Sequence, residues 1–313
     1  MRKTFATISI LILALSIFCS GCKKKTPANN EPPTPPAPIE FTIDNYVYQV
    51  NDDGVSATLT ECIDLQHLSE DVNIPEKVSY DGKEYTVTVI GDGAFGNCWQ
   101  ELGSLNLPNT IIKIGDYAFY SCGLTGSLNL PSSLTYIGEN AFSGCHNITG
   151  SLYIPDSVTF LGNNAFNSCF SLNGTLHISR NLTTINEGAF AFCDQLMGTL
   201  YIPKSVTVIC DFAFDYCYGF TSYLEIPESV TYIGLAAFSN CKKLSGVVSL
   251  ATEAPTLRGD VFPYNTYTTL TVPCNCSYQY EHSPWILYFE NIVEDCDTSS
   301  RHIDRSEVEK SLN

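Results

Sequence analysis

An Ala-Phe pair with a Cys three residues after the Phe recurs seven times along this chain, beginning with GDGAFGNC at 91–98. The closing residues are Cys98, Cys122, Cys145, Cys169, Cys193, Cys217 and Cys241, spaced by 24 residues at every step except a single step of 23. Such regularity marks a solenoid, in which each coil contacts only its neighbours. One full unit, GSLYIPDSVTFLGNNAFNSC at 150–169, holds two short stretches of alternating apolar residues, separated by Pro155 and followed by the compact Ala-Phe segment. Each coil is therefore expected to run strand, second strand, helical turn.

In the first strand, apolar residues two apart recur as Leu105/Leu107, Leu128/Leu130, Leu152/Ile154, Leu176/Ile178, Leu200/Ile202, Leu224/Ile226 and Val248/Leu250. That period sends both members of a pair to the same side. Pro108, Pro131, Pro155, Pro203 and Pro227 end the strand, because Pro cannot donate to a ladder. The second strand repeats Ile111/Ile114, Leu134/Ile137, Val158/Leu161, Leu182/Ile185, Val206/Ile209 and Val230/Ile233, usually followed by Gly or a small residue at a corner where positive φ is expected. Next stand Asp92, Asp116, Glu139, Asn163, Glu187 and Asp211, placed to cap the short helical turn, so these carboxylates are read as structural and not as a catalytic pair.

Phe95, Phe119, Phe142, Phe166, Phe190, Phe214 and Phe238 are expected to stack inside the coils, one per turn. A lone coil cannot bury its own Phe, whereas a stacked neighbour can, and each ring is worth ~2 kcal/mol of burial. The repeated cysteines form a parallel ladder and read as buried free thiols. Cys62, Cys210, Cys274, Cys276 and Cys296 lie off the ladder, and any disulfide is expected within the C-terminal trio. Three thiols with no histidine that the sequence places beside them are a weak signal for zinc.

His67, His146, His177, His282 and His302 are scattered, without metal-ligand spacing. The chain has no Gly-x-Ser-x-Gly, H-E-x-x-H, phosphate loop or Gly-x-Gly-x-x-Gly, so no catalytic residue, cofactor or metal is expected. Asn51-Asp52-Asp53-Gly54 reads as a hairpin turn before it reads as a calcium loop.

Inward residues are fixed by packing, so recognition is expected among outward residues that differ between coils. One lane is Asn106, Asn129, Tyr153, His177, Tyr201 and Glu225 in the first strand; the other is Lys113, Tyr136, Phe160, Thr184, Val208 and Tyr232 in the second. With strands ~4.8 Å apart, Tyr153, His177 and Tyr201 are expected to line up within ~10 Å. Tyr136, Phe160, Val208 and Tyr232 form a second candidate strip. Exposed aromatics suit protein partners or sugar rings. The same rings could instead do no more than brace neighbouring strands.

At the N-terminus, Arg2 and Lys3, an apolar run from Phe5 to Phe18, and the small residues Ser20 and Gly21 read as an export signal over residues 1–21. No later run is long and apolar enough to span a bilayer. The stretch Cys19-Ser20-Gly21-Cys22 resembles the lipobox of bacterial lipoproteins, with Cys19 where Leu or Val is usual, and the resemblance places a lipid on Cys22. Residues 22–40 are Pro-rich and read as a tether, able to reach ~55 Å as polyproline II. Loss of residues 1–21 removes Arg2 and Lys3 from the 16 basic residues and none of the 33 acidic ones, taking the formal charge from −17 to −19. Such a surface repels phosphate backbones, so nucleic-acid binding is disfavoured.

The pattern L-x-I-P-x-S-V-T-x-I-G-x-x-A-F-x-x-C resembles the BspA-like leucine-rich repeat of bacterial surface proteins, over residues 41 to about 296. VNIPEKVSYDGKEYTVTVI at 72–90 is similar to the β-hairpin entry of such proteins from Bacteroidetes, and LTVPCNCSYQYEHSPWILYFENIVED to their closing segment. The resemblance implies an α/β, β-rich, right-handed leucine-rich repeat solenoid: a β-hairpin cap at 41–90, seven repeats at 91–262, a C-terminal cap at 263–296 and a polar tail at 297–313. It also implies a non-catalytic binding or adhesion protein on a lipid tether in the outer membrane, with host matrix or surface proteins as partners. Glycan capture and service as an accessory subunit of an envelope assembly are the rival expectations. Lys23-Lys24-Lys25 is not the acidic run that resembles surface-export signals in this group, so display at the cell surface and a periplasmic orientation both stay open, as does oligomeric state.

Overall fold

The computed structural model describes residues 37–64, 71–98, 100–263 and 267–296; the export signal, Cys22, most of the tether and the polar tail lie outside them. The described chain enters through an antiparallel meander of Glu40–Ile43, Tyr46–Val50 and Ser56–Cys62. The corner at 51–54 is the expected hairpin turn: Asp53 Oδ1 accepts the N–H groups of Val55 and Ser56, both at 2.9 Å, and Gly54 takes a φ of 67°. Ser56–Cys62 then pairs in parallel with Lys83–Ile90, itself the antiparallel partner of Lys77–Tyr80.

From Lys83–Ile90 the second strands stack in parallel, with Val89 beside Lys113, Lys113 beside Tyr136, and Tyr136 beside Phe160. Another run aligns Thr184, Val208, Tyr232 and Thr256. First strands make shorter ladders: Val72–Asn73 with Leu105–Asn106, and Leu152–Tyr153 with Leu176–His177. At the C-terminal end, Tyr223–Ile226, Gly246–Ser249, Tyr267–Pro273 and Phe289–Asp295 follow one another in parallel. The result is a β-rich solenoid of stacked parallel coils; among the described residues the one α-helix is Ser277–Glu281, in the C-terminal cap.

Phenylalanine rings form the axis of the core. The seven expected rings are fully buried, and neighbours stack at centroid distances from 5.0 to 6.0 Å. Phe262 adds another ring 5.6 Å beyond Phe238, although no Cys follows it. Tyr46 closes the column edge-on to Phe95 at 5.8 Å, while Tyr267, Trp285, Tyr288 and Phe289 surround Phe262. These cap residues give their polar tips to carbonyls of the last coils: Tyr267 OH donates to Cys241 O at 2.7 Å, and Trp285 Nε1 to Pro255 O at 2.8 Å. A cap of hydrocarbon alone would leave those carbonyls unpaired. The ladder cysteines are free and buried, and the disulfide of the C-terminal trio joins Cys274 to Cys296.

The Ala-Phe segment is not a helical turn. It is a pair of tight turns, each needing a left-handed residue: Tyr117, Asn140, Asn164, Phe212 and Ala236 at the first, with φ from 52 to 58°, and Ser121, Ser168, Phe192, Tyr216 and Asn240 at the second, with φ from 49 to 61°. That backbone turns the N–H toward the next coil, as from Tyr117 to Glu139 O and from Phe192 to Asp215 O, both at 2.8 Å. Left-handed backbone costs a residue with a Cβ ~1–2 kcal/mol, which the coil-to-coil hydrogen bonds offset.

Nor do Asp92, Asp116 and Asp211 cap their own turns. Asp92 Oδ1 accepts the N–H of Asp116 at 2.9 Å, Asp116 Oδ1 that of Glu139 at 2.9 Å, and Asp211 Oδ1 that of Leu235 at 2.8 Å, so they tie each coil to the next. Gly115 is likewise a matter of room and not of positive φ. A Cβ there would lie 2.3 Å from Asp92 Oδ1 and 2.7 Å from Asp92 N.

The last repeat is displaced by one residue from the expected pattern. Val247 and Ser249, not Val248 and Leu250, align with Leu224 and Ile226 and point inward. A slip of one residue exchanges the two faces of a strand. Ser249 is accommodated inside because its hydroxyl meets Tyr280 OH at 2.7 Å.

Candidate binding faces

Pairing of Leu152–Tyr153 with Leu176–His177 puts the leucines inside and Tyr153 and His177 outside. The two outer rings stack face to face, 4.3 Å apart and 8° from parallel. Tyr153 is 43% exposed and His177 half-buried. Asp156, just past the Pro155 corner, reaches the next coil, where it accepts the N–H of Arg180 at 2.8 Å and Arg180 Nε at 2.7 Å. The same carboxylate lies 3.6 Å from His177 Nε2, which is buried and has no hydrogen-bond partner.

Burial lowers the His177 pKa below its ordinary 6.5, against the pull of Asp156, so the ring is neutral at neutral pH. Burial pushes Asp156 upward, but the hydrogen bonds and charge of Arg180 outweigh it and hold the carboxyl below its ordinary value. The outcome is a flat aromatic face with a carboxylate and a guanidinium at its side. It can stack on a planar or ring-shaped group while offering both an acceptor and a donor.

Elsewhere in this lane the side chains also work in pairs. Asn106 donates to Asn73 Oδ1 of the preceding coil at 2.8 Å, and Tyr201 bridges in parallel with Glu225, both half-buried, while Asn129 is exposed. In the second strip, Lys113 Nζ sits 4.9 Å from the centroid of the Tyr136 ring, and Tyr136 stacks on Phe160 at 4.6 Å. Val208 and Tyr232 are half-buried neighbours in the following run.

Two features escape the strand pattern. One is the Asp156–Arg180 pair, which depends on the corner and not on alternation. The other is a third face, on the turns that flank the ladder cysteines. There His146 stacks on Phe170 at 5.0 Å, Phe192 on Tyr216 at 4.8 Å, and Tyr216 meets Tyr218 edge-on at 5.5 Å. Its signal in the sequence is the variability just after the cysteines: Gly123, His146, Phe170, Asp194, Tyr218 and Lys242. Among the described residues, Cys274, Glu294 and Cys296 bring together three atoms of metal-binding type, but the two sulfurs are joined to each other.

Stacked coils with an invariant interior and a variable exterior define a leucine-rich repeat scaffold, a class that generally binds other macromolecules and does not catalyse. The chain belongs to the BspA type leucine-rich repeat family, whose model matches residues 88–221 and 209–283 in 6 copies. A leucine-rich repeat protein from Bacteroides ovatus is similar over 74% of this chain and 70% of its own, with 24% identity and a TM-score of 0.52. A T. pallidum leucine-rich repeat protein aligns with 71% of this chain and 87% of its own, at 23% identity and a TM-score of 0.46. The first likeness is one of fold. No protein of curated function matches the sequence.

Proposed function

We propose that this chain is a lipid-anchored, non-catalytic binding protein of the bacterial envelope that engages a protein partner through the first-strand face around Tyr153 and His177. The observation that carries the reading is the Tyr153–His177 stack beside the Asp156–Arg180 ion pair, mounted on rigid coils. Aromatic and arginine side chains gathered in one patch are the usual anchors of protein interfaces. Tyr201, Glu225, Asn106 and Asn129 extend the lane, and Tyr136, Phe160, Val208 and Tyr232 supply the second strip. The partner is a host matrix or surface protein, or another protein of the envelope. Lipid attachment at Cys22 rests on the stretch Cys19-Ser20-Gly21-Cys22, and the Pro-rich residues up to 40 space the solenoid from the membrane. A second reading, capture of a glycan, is favoured by the exposed Tyr153 face, which suits the flat side of a sugar ring.

The test compares the unaltered protein with Tyr153→Ala plus Tyr201→Ala, each immobilised and exposed to host extract, to native envelope fractions and to an oligosaccharide library. A protein recovered by the first and lost by the second supports the site. Recovery that ignores the substitutions removes it, and binding of oligosaccharides alone transfers the site to the glycan reading. Cys22→Ser is expected to abolish incorporation of labelled palmitate; incorporation that persists removes the lipid from Cys22.

A further inference from the structure

The turn face carries aromatic side chains that the fold does not require. Phe192 and Tyr216 immediately precede Cys193 and Cys217, at a repeat position held at φ 61° and 60°, where other coils place Asn97, Ser121, Gly144, Ser168 and Asn240. Gly144 and Asn240 make the same turn with less conformational strain, so the rings are not there to form the coil. Burial does not account for them either, since Phe192 is 37% exposed and lies on Tyr216 at an interplanar angle of 16°.

The repeat position after the ladder cysteine completes the face. Phe170, 39% exposed, and Tyr218 occupy it two coils apart, and Asp194 occupies it in the coil between them. Burial, then Tyr216, Asp215 and Asp194, raise the Tyr218 phenol above its ordinary 10.0. Asp215 is engaged by Asn240 Nδ2 at 3.1 Å, whereas the buried Oδ1 of Asp194 has no hydrogen-bond partner. Asp194 stands at the repeat position between those of Phe170 and Tyr218, and a carboxylate beside exposed aromatic rings suits a cation that also stacks.

We propose that this turn face is a second docking surface, separate from the strand lane, which takes an arginine-bearing segment of a protein partner. The guanidinium plane lies over the Phe192–Tyr216 stack, and its positive charge faces the half-exposed Asp194 carboxylate. Charge complementarity selects this occupant: the chain carries a net −17, and a guanidinium meets the rings and the carboxylate together. A neutral sugar would serve only the rings. Lys242, one coil past Tyr218 at the same repeat position, borders the face and directs a cation toward the Phe170 side.

The test titrates the full chain with a blocked tri-arginine peptide, followed by calorimetry and tyrosine fluorescence, beside a tri-lysine peptide and cellohexaose. Phe192→Asn with Tyr216→Asn removes both rings, leaves the net charge unchanged and installs a residue that already adopts this backbone at Asn97 and Asn240. Its Tm is expected to be unchanged or higher. Tri-arginine affinity is expected to fall about tenfold in that variant, and again in Asp194→Asn, with tri-lysine weaker throughout. Tyr153→Ala with Tyr201→Ala is expected to leave it unaltered, so failure of the strand face and failure of the turn face are told apart. Equal affinity before and after the Asn substitutions overturns the proposal, because the attraction would then be bulk charge. No tri-arginine binding, or cellohexaose binding that follows the same variants, overturns it too. Asp194→Asn reads the site independently should the aromatic variant disturb the coil.

Discussion

The thiol of Cys193 donates to the backbone carbonyl of Phe166, 3.2 Å away in the preceding coil. Cys145 does the same to Phe119, Cys169 to Phe142, Cys217 to Phe190 and Cys241 to Phe214, at 3.0 to 3.2 Å. The two ladders are thus one device. The Phe supplies burial, and the Cys of the next coil gives its carbonyl a donor, beside the own-coil Cys N–H that Phe119, Phe142, Phe190 and Phe214 also accept.

Cys193→Ala removes that donor and a buried sulfur together. A loss of ~1–2 kcal/mol in urea unfolding is expected, because a buried acceptor is left unpaired beside a small cavity. A change within error would mean that the thiol only fills space.

Alkali should unfold this protein through its thiols. Burial raises Cys145 from 9.0 to about 12 and Cys62 to about 11, and pushes Cys217 and Cys241 upward as well. A folded pKa above the unfolded one keeps the native state protonated where the open chain ionises. The stability involved is complete below pH ~9 and lost as pH climbs toward the folded values, by up to ~1.4 kcal/mol per pH unit for each thiol. Urea midpoints are therefore expected to be level near neutrality and to fall steeply above pH ~9. A midpoint unaltered well above that pH would exclude burial of ionisable thiols.

The coil, the Phe column and the Cys ladder are legible in the 24-residue period because inward positions meet the same surroundings in every coil. The Tyr153–His177 stack is legible for the same reason, since equal offsets bring residues side by side. The Asp156–Arg180 pair has the same 24-residue offset, but it lies past the Pro corner, outside the strand alternation from which the outward lanes are read. The left-handed turns are hidden for another reason: Phe212, Tyr216 and Tyr117 are residue types that avoid this backbone, and only the hydrogen bonds between coils reveal why they adopt it. Val248 and Leu250 alternate as convincingly as Val247 and Ser249, so the slip shows only once Tyr280 is seen to occupy the cap.

Acid acts on the candidate strand face in the opposite sense. His177 has a folded pKa below 6.5, so the stability it contributes is present above that pH and lost as pH falls through the folded value. Asp156, also lowered, stays ionised further down and does not oppose the change by protonating first. An NMR titration is expected to place the His177 ring protons below 6.5, with the Tyr153 ring shifting in step. A His177 titration at or above 6.5 would show that the site is solvated and not half-buried.

Phe166 stacks between Phe142 at 5.2 Å and Phe190 at 6.0 Å, in the middle of the column. Phe166→Ala opens a cavity bounded by two rings that the backbone ladders hold apart, so collapse is restricted and a loss of ~3–5 kcal/mol is expected. Where the loss is felt matters more than its size. Coils that touch only their neighbours divide at a weakened interface, so the flanking halves should stop unfolding together. Hydrogen exchange is expected to quicken first in the coils of Phe142 and Phe190, while amides near Phe95 and Phe238 keep their protection. Uniform quickening from one end to the other would mean that the coils cooperate over the whole column and that the caps, not the neighbours, set the stability of each turn.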